Sequence, residues 1–455
     1  MATVPPGFGV FGDLFSTPQM RAAFSEEAWF ARMVEVEGAL ARAEGAAGVV
    51  PAQAAEAISE VCASFEPDRA GLKSATERVG YPVLPLVRQI AAASGTSGGY
   101  VHWGATTQDI MDTGLVLQVR AGLDLIDADL SRLMKALIAS AREHRDVPMA
   151  GRTHLQHALP ITFGLKCAGW LAPLTRTLER LRDCRARVLH LQFVGAVGTL
   201  ASLGEKGQEV RKALGAELDL HVPAVGWHTA RDGLGEAACA LGLLTGALGK
   251  IATDIVLLMQ SEVGEVFEPF APVRGGSSTM PQKRNPVASE YVIAAQRNVQ
   301  ALVPVMLGAG VADHERGTGP WHGEWTALPQ IFLLSAGAVA RTAEIVEGME
   351  VDTDRMAANL QMSRGLIMAE PVMMALADAL GRQEAHDVVE EHCRAAIEGD
   401  KSLGEVLKAS GAITAHLDVG EIDALLDPQN YTGSAGAFTD GAIEEAEKLL
   451  GEKQT

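Results

Sequence analysis

Apolar residues in this chain recur at helical spacing, with little of the alternation that marks strands. Between Ser25 and about Gly48, the positions Phe30, Met33, Val34, Val36, Leu40 and Ala43 roughly keep three- and four-residue steps, and Ser25 with Glu26 forms a helix-start signal. The same pattern predicts longer helices over about 109–143, 159–192, 235–265, 286–311 and 323–349, each well beyond the usual three or four turns. Several are apolar around most of their circumference, and the stretch 237–249 carries no charge at all. A helix apolar on every side must be enclosed by other helices.

The predicted fold is therefore all-α. A long-helix central bundle over 109–351, extended by subunit association, is flanked by smaller helical domains over 1–108 and 352–455. The last of these is more charged and breaks near Asp427-Pro428 and Gly433.

Charge narrows the function classes. With 38 Lys and Arg against 57 Asp and Glu, the 455-residue chain has a formal net charge of −19, which argues against binding nucleic acid or an anionic membrane. The five cysteines (Cys62, Cys167, Cys184, Cys239 and Cys393) are scattered and never form a CxxC pair, as expected of reduced thiols in a cytoplasmic protein. No basic n-region opens the chain, and the longest charge-free apolar runs, 188–204 and 325–340, fall short of the roughly 20 residues that cross a bilayer. The expectation is a soluble protein.

Chemistry concentrates in Arg274-Gly-Gly-Ser-Ser-Thr-Met-Pro-Gln-Lys-Arg-Asn-Pro286, a loop between two helices that is rich in glycine, hydroxyls and base. Backbone amides near Gly275 and Gly276, with Lys283, suit an anion beside the hydroxyls of Ser277 and Ser278. It is not a P-loop, because no glycine precedes Lys283 and no hydroxyl follows it.

The loop matches the GSSxMPxKxNP signature at every fixed position from Gly276 to Pro286, and so resembles the fumarase/aspartase superfamily. Val101-His-Trp-Gly-Ala-Thr-Thr-Gln-Asp-Ile-Met-Asp-Thr113 and Gly151-Arg-Thr-His-Leu-Gln-His-Ala-Leu-Pro160 are similar to the other two signatures of that superfamily, in the same order. Residues 104–118, Trp227-His-Thr-Ala-Arg-Asp232, 265–270 and 313–325 resemble the 3-carboxy-cis,cis-muconate cycloisomerase branch more than the adenylosuccinate lyases. At position 154 some of those cycloisomerases carry Trp, whereas His154 follows the lyase pattern.

The resemblance implies a homotetramer whose active sites each collect the three segments from three subunits. It implies lactonisation of a tricarboxylate in protocatechuate breakdown, or alternatively a fumarate-releasing elimination from a succinyl-type substrate. It casts Ser277 as acid/base, and Lys283 and Asn285 as carboxylate ligands. Ser278 stands beside them in the same motif, and Thr106, Thr107 and Gln108 are neutral donors to another carboxylate. His154 either supplies the second proton or orients the substrate. Arg316 is either an anion clamp or an ion-pair partner of Glu315 or Glu324. Lys283, Arg284, Arg274 and Arg316 are the residues available to reverse the acidic field locally.

Other polar residues read as structural. His102, His157, His228 and His314 suit hydrogen-bonded structural roles. Asp109 and Asp112 suit a helix start, and Trp227, Trp321 and Trp325 suit packing. Gly7–Gly12 spells GxGxxG and Gly95–Gly99 spells GxSxG, but neither follows a strand. No HExxH or EF-hand pattern occurs, so neither metal nor cofactor is expected.

Overall fold

A computed structural model of the protein describes residues 8–270, 275–276, 279–280 and 282–451. These residues are mostly helical, as expected; the strands form two small two-stranded sheets. The first helix of substance, Glu26–Ala46, begins where the pattern placed it. The Ser25 hydroxyl accepts from the Ala28 amide, and Glu26 and Glu27 face the positive end of the dipole. The long helices are Thr107–Glu143, Phe163–Val188, Asp232–Leu258, Val287–Gly308 and Pro320–Gly348.

Two expected boundaries shift. Residues 159–162 belong to the strand Gln156–Thr162, which pairs with Pro148–Thr153, so the next helix starts only at Phe163. The helix expected to reach Glu265 stops at Leu258, and Val266–Phe267 pairs with Glu350–Val351. Gly95–Gly99 lies in a 3-10 helix that follows the helix Val83–Ala93, so no strand leads into it.

The chain divides into two compact units. One comprises residues 1–130, 177–249 and 291–341, the other 131–176, 250–290 and 342–455. In the first, Met33, Leu40, Leu86, Ile90, Ile110, Val116, Phe193 and Leu214 form a buried core. Glycines let two of its helices pack closely. A β-carbon on Gly249 would lie 2.9 Å from Gln296, and one on Gly242 would lie 3.1 Å from Val303. Gly235 faces Leu307 at an ordinary 3.8 Å, so the partner number falls as the glycine number rises and the two helices run antiparallel.

Asp232–Leu258 is the one described helix long and apolar enough to cross a membrane by length and composition; half of its most apolar window is buried. In the second unit, Val372, Leu376, Val389, Leu403, Leu407, Ile413 and Ile422 form a separate core among the short C-terminal helices.

Candidate active site

The segment 101–113 lies in the first unit. His102 and Gly104 have φ of 63° and 73°, which turn the chain into the helix Thr107–Glu143. Glycine suits position 104 because φ there is 73°, and a β-carbon would also crowd a Leu203 methyl at 2.7 Å. Asp109 returns to accept from the Thr106 amide at 3.1 Å, an N-terminal capping contact. It does more than cap, because its oxygens also accept from the amides of Val194 and Gly195 and from Nε2 of His228.

Asp109 thus ties two distant segments, 194–195 and His228, to one helix start, and the side chain is fully buried. His102 donates from Nδ1 to Glu37 at 2.6 Å. Burial opposes its charge, yet the Glu37 carboxylate wins and holds the His102 pKa above the usual imidazole value. The half-buried side chains of Thr106 and Thr107 form no hydrogen bond among the described residues, so their hydroxyls remain available at the helix start.

One turn into that helix lies an arrangement that sequence reading missed. Arg231 donates to both oxygens of Asp112, at 2.7 and 3.1 Å, and to both oxygens of Glu324, at 2.8 and 2.5 Å. All three side chains are at most 1% exposed. Burial disfavours the arginine's charge, but the two carboxylates outweigh it and raise its pKa. Desolvation raises the Glu324 pKa despite that partner. Trp321 donates from Nε1 to Asp112, and the guanidinium sits 4.7 Å over the Trp227 ring, so these tryptophans do pack. Glu324 is therefore committed to Arg231 and is not the partner of Arg316.

Arg316 is held instead by two neutral acceptors, Oε1 of Gln108 at 3.0 Å and the Ala196 carbonyl at 2.7 Å. Gln108 is buried, and both hydrogens of its amide are taken, by Asp112 at 3.0 Å and the His228 carbonyl at 2.9 Å.

The other two signature segments lie in the second unit. His154 and Leu155 form the two-residue turn of the hairpin, with φ of 53° and 62°. That is the type I′ pattern, which ordinarily takes Asn-Gly. Gly151 occupies the register shift between Ala150 and Arg152, where a β-carbon would lie 2.6 Å from the Leu159 carbonyl oxygen. Arg152 pairs with both oxygens of the fully buried Glu265 at 2.8 and 2.7 Å, and Asn359 donates to the same carboxylate. The hairpin tip is therefore exposed while its base is anchored.

Of the signature loop, Arg274, Ser277 and Ser278 lie outside the described residues. The described parts show how it is closed. Asn285 donates to the Gly275 carbonyl through its backbone amide at 3.0 Å and its side-chain amide at 2.9 Å. Gly275 has φ of 65°, and a β-carbon there would strike the Asn285 carbonyl. One face of the Asn285 amide thus shapes the loop.

Arg284 is occupied too, with both oxygens of Glu350, the Glu268 carbonyl, and the rings of Phe267 and Phe270. Its hydrogen bonds hold the Glu350 pKa below the usual carboxylate range. Of the cations expected to reverse the field, Arg284 is neutralised. Lys283 is exposed and has no ion pair among the described residues. Glu268 caps the next helix by accepting from Ser289 (amide and hydroxyl) and from the Ala288 amide. The described His/Asp/Glu group with metal-ligand spacing, His386 with Asp387 and Glu390, is exposed on the helix Arg382–Glu398.

Residues 14–301 match the family described as Lyase, and residues 365–442 match the adenylosuccinate lyase C-terminus. The chain is 47% identical to a 3-carboxy-cis,cis-muconate cycloisomerase of Pseudomonas aeruginosa, with 98% of each covered. It is similar in structure to the 3-carboxy-cis,cis-muconate lactonizing enzyme of Pseudomonas putida, with a TM-score of 0.92 and 44% identity over 97% of this chain and 99% of that one. It is likewise similar to a fumarate lyase of Mesorhizobium sp. BNC1, with a TM-score of 0.90 and 47% identity over 94% of this chain and 98% of that one.

Proposed function

Because this chain belongs to the lyase family, the fumarase/aspartase superfamily, we propose that it is a lactonising enzyme acting on 3-carboxy-cis,cis-muconate in protocatechuate breakdown. The observation that carries this reading is the 47% identity, over nearly the whole of both chains, to a cycloisomerase of that name.

In this reaction a substrate carboxylate oxygen adds to a carbon–carbon double bond. The π-electron pair moves toward the neighbouring carboxylate, giving an aci-carboxylate dianion, and a proton then goes to the adjacent carbon. Ser277 delivers that proton from its hydroxyl, and the resulting alkoxide needs nearby donors and exclusion of water. Lys283 supplies charge to a substrate carboxylate, with Ser278 and the free face of the Asn285 amide as donors. Thr106 and Thr107 offer hydroxyls at a helix start, where an anion is favoured. Arg316 binds a further carboxylate, and Gln108 contributes through it.

His154 is the second acid/base candidate. Its tip position and positive φ suit a residue retained for chemistry at a cost of roughly 1–3 kcal/mol. The reaction needs no cofactor or metal. Apolar Leu243, Val305 and Leu307 are exposed on one chain, which supports a homotetramer with shared sites. All five cysteines are free thiols, which supports a cytoplasmic location. The three-part division into 1–108, 109–351 and 352–455 stays part of this proposal.

A second reading, elimination from a succinyl-type substrate, is favoured by the 47% identity to a fumarate lyase and by His154 itself. Loss of diene absorbance on adding 3-carboxy-cis,cis-muconate, with fumarate assayed in parallel, separates the two. The expected result is lactone formation that Ser277→Ala abolishes while helix content stays intact. Fumarate release without lactonisation would overturn the first reading.

A further inference from the structure

We propose that Asp112 is a positioning residue that, through Gln108, sets how the Arg316 guanidinium is presented to a substrate carboxylate. The inference rests on the reading of Arg316 as a carboxylate ligand and names what holds it there.

Arg231 and Arg316 are used in opposite ways. Arg231 is saturated by two carboxylates in the core. Arg316 is half-buried, and among the described residues it donates to two neutral oxygens and has no carboxylate partner. A guanidinium has five N–H groups, so Arg316 keeps its full charge and most of its donors for an incoming anion. Its position depends on which end of the Gln108 amide it meets. Because Asp112 and the His228 carbonyl take the two amide hydrogens, the oxygen must face Arg316. A reversed amide would set oxygen against a carboxylate and a carbonyl, and NH₂ against a cation. Asp112 is fixed in turn by Arg231 and by Trp321 Nε1, so the order runs from a rigid buried ion cluster, through a neutral amide, to a charge at the site.

The test compares Asp112→Asn with Glu324→Gln. Both remove one carboxylate from the same buried arginine, but only Asp112 touches Gln108. Affinity for propane-1,2,3-tricarboxylate is measured by calorimetry, with kcat and KM on 3-carboxy-cis,cis-muconate and thermal melting alongside. Both variants lose stability, while Asp112→Asn alone weakens tricarboxylate binding and raises KM about tenfold, with a smaller change in kcat. Gln108→Leu leaves the ion cluster in place and is expected to show the same weakening, which keeps the test alive if Asp112→Asn fails to fold. Unchanged binding in Gln108→Leu, or equal weakening in Asp112→Asn and Glu324→Gln, overturns the proposal. An Arg316→Ala variant that binds the tricarboxylate normally overturns the underlying reading of Arg316 instead. Because calorimetry needs no turnover, failure of the assigned reaction is seen separately.

Discussion

Glu44 shows how far a single carboxyl can depart from ordinary surface behaviour once it is enclosed. It is fully buried, neither oxygen has a hydrogen-bond partner among the described residues, and burial together with the Glu37 charge pushes its pKa up to about 9 from 4.5. The folded state therefore keeps a proton that the unfolded chain releases near pH 4.5. The stability this contributes is fully present below that pH and is lost as pH rises toward about 9. Glu44→Gln removes the dependence. Its stability relative to the parent is expected to improve by about 4 kcal/mol between pH 5 and pH 8, measured by chemical denaturation. Equal slopes of stability against pH in the two proteins would exclude this role. The helical spacing marks Glu44 only as a polar position on a helix; its isolation depends on the residues packed over it.

Among the elements, the hairpin 148–162 departs most from its local signals. Apolar spacing alone extended a helix back to Leu159, whereas the chain reverses at His154-Leu155 and pairs Thr153 with Gln156. Neither turn residue favours a positive φ, so the turn is held by its anchored base, chiefly Arg152 on Glu265. Leu155→Gly relieves one of the two strained positions. It is expected to stabilise the protein by about 1 kcal/mol, read as a higher melting temperature, with His154 chemistry retained. A lower melting temperature would mean that the exposed Leu155 side chain has a packing partner worth more than the strain. The loop after Phe270 shows a related division. Its motif string was legible in the sequence, but the commitment of Arg284 to Glu350 was not, because that partner lies 66 residues away.

For the molecule as a whole, a net charge of −19 does not steer a tricarboxylate inward, so attraction must come from a few local cations. With Arg284 neutralised, Lys283 and Arg316 are the described candidates. Leu243, Val305 and Leu307 are exposed on the helices Asp232–Leu258 and Val287–Gly308. Sedimentation is expected to give four chain masses, and Leu307→Asp to shift the particle toward smaller species with helix content unchanged. A monomeric parent would remove the case for shared active sites.

The class of the fold and the motif-bearing segments could be read directly, because helical periodicity, caps and signature strings are relations among neighbours in the chain. Ser25 as a cap, the helix from Thr107 and the loop ending at Asn285 are of this kind. What folding alone settled are the partnerships between residues far apart. Asp112 meets Arg231 across 119 positions, and Arg231 meets Glu324 across 93. In the sequence, Glu324 was as good a partner for Arg316 as for any other cation. Packing gave it to the buried arginine, since a desolvated charge must be paired, and so left Arg316 with neutral contacts and its charge available for a ligand.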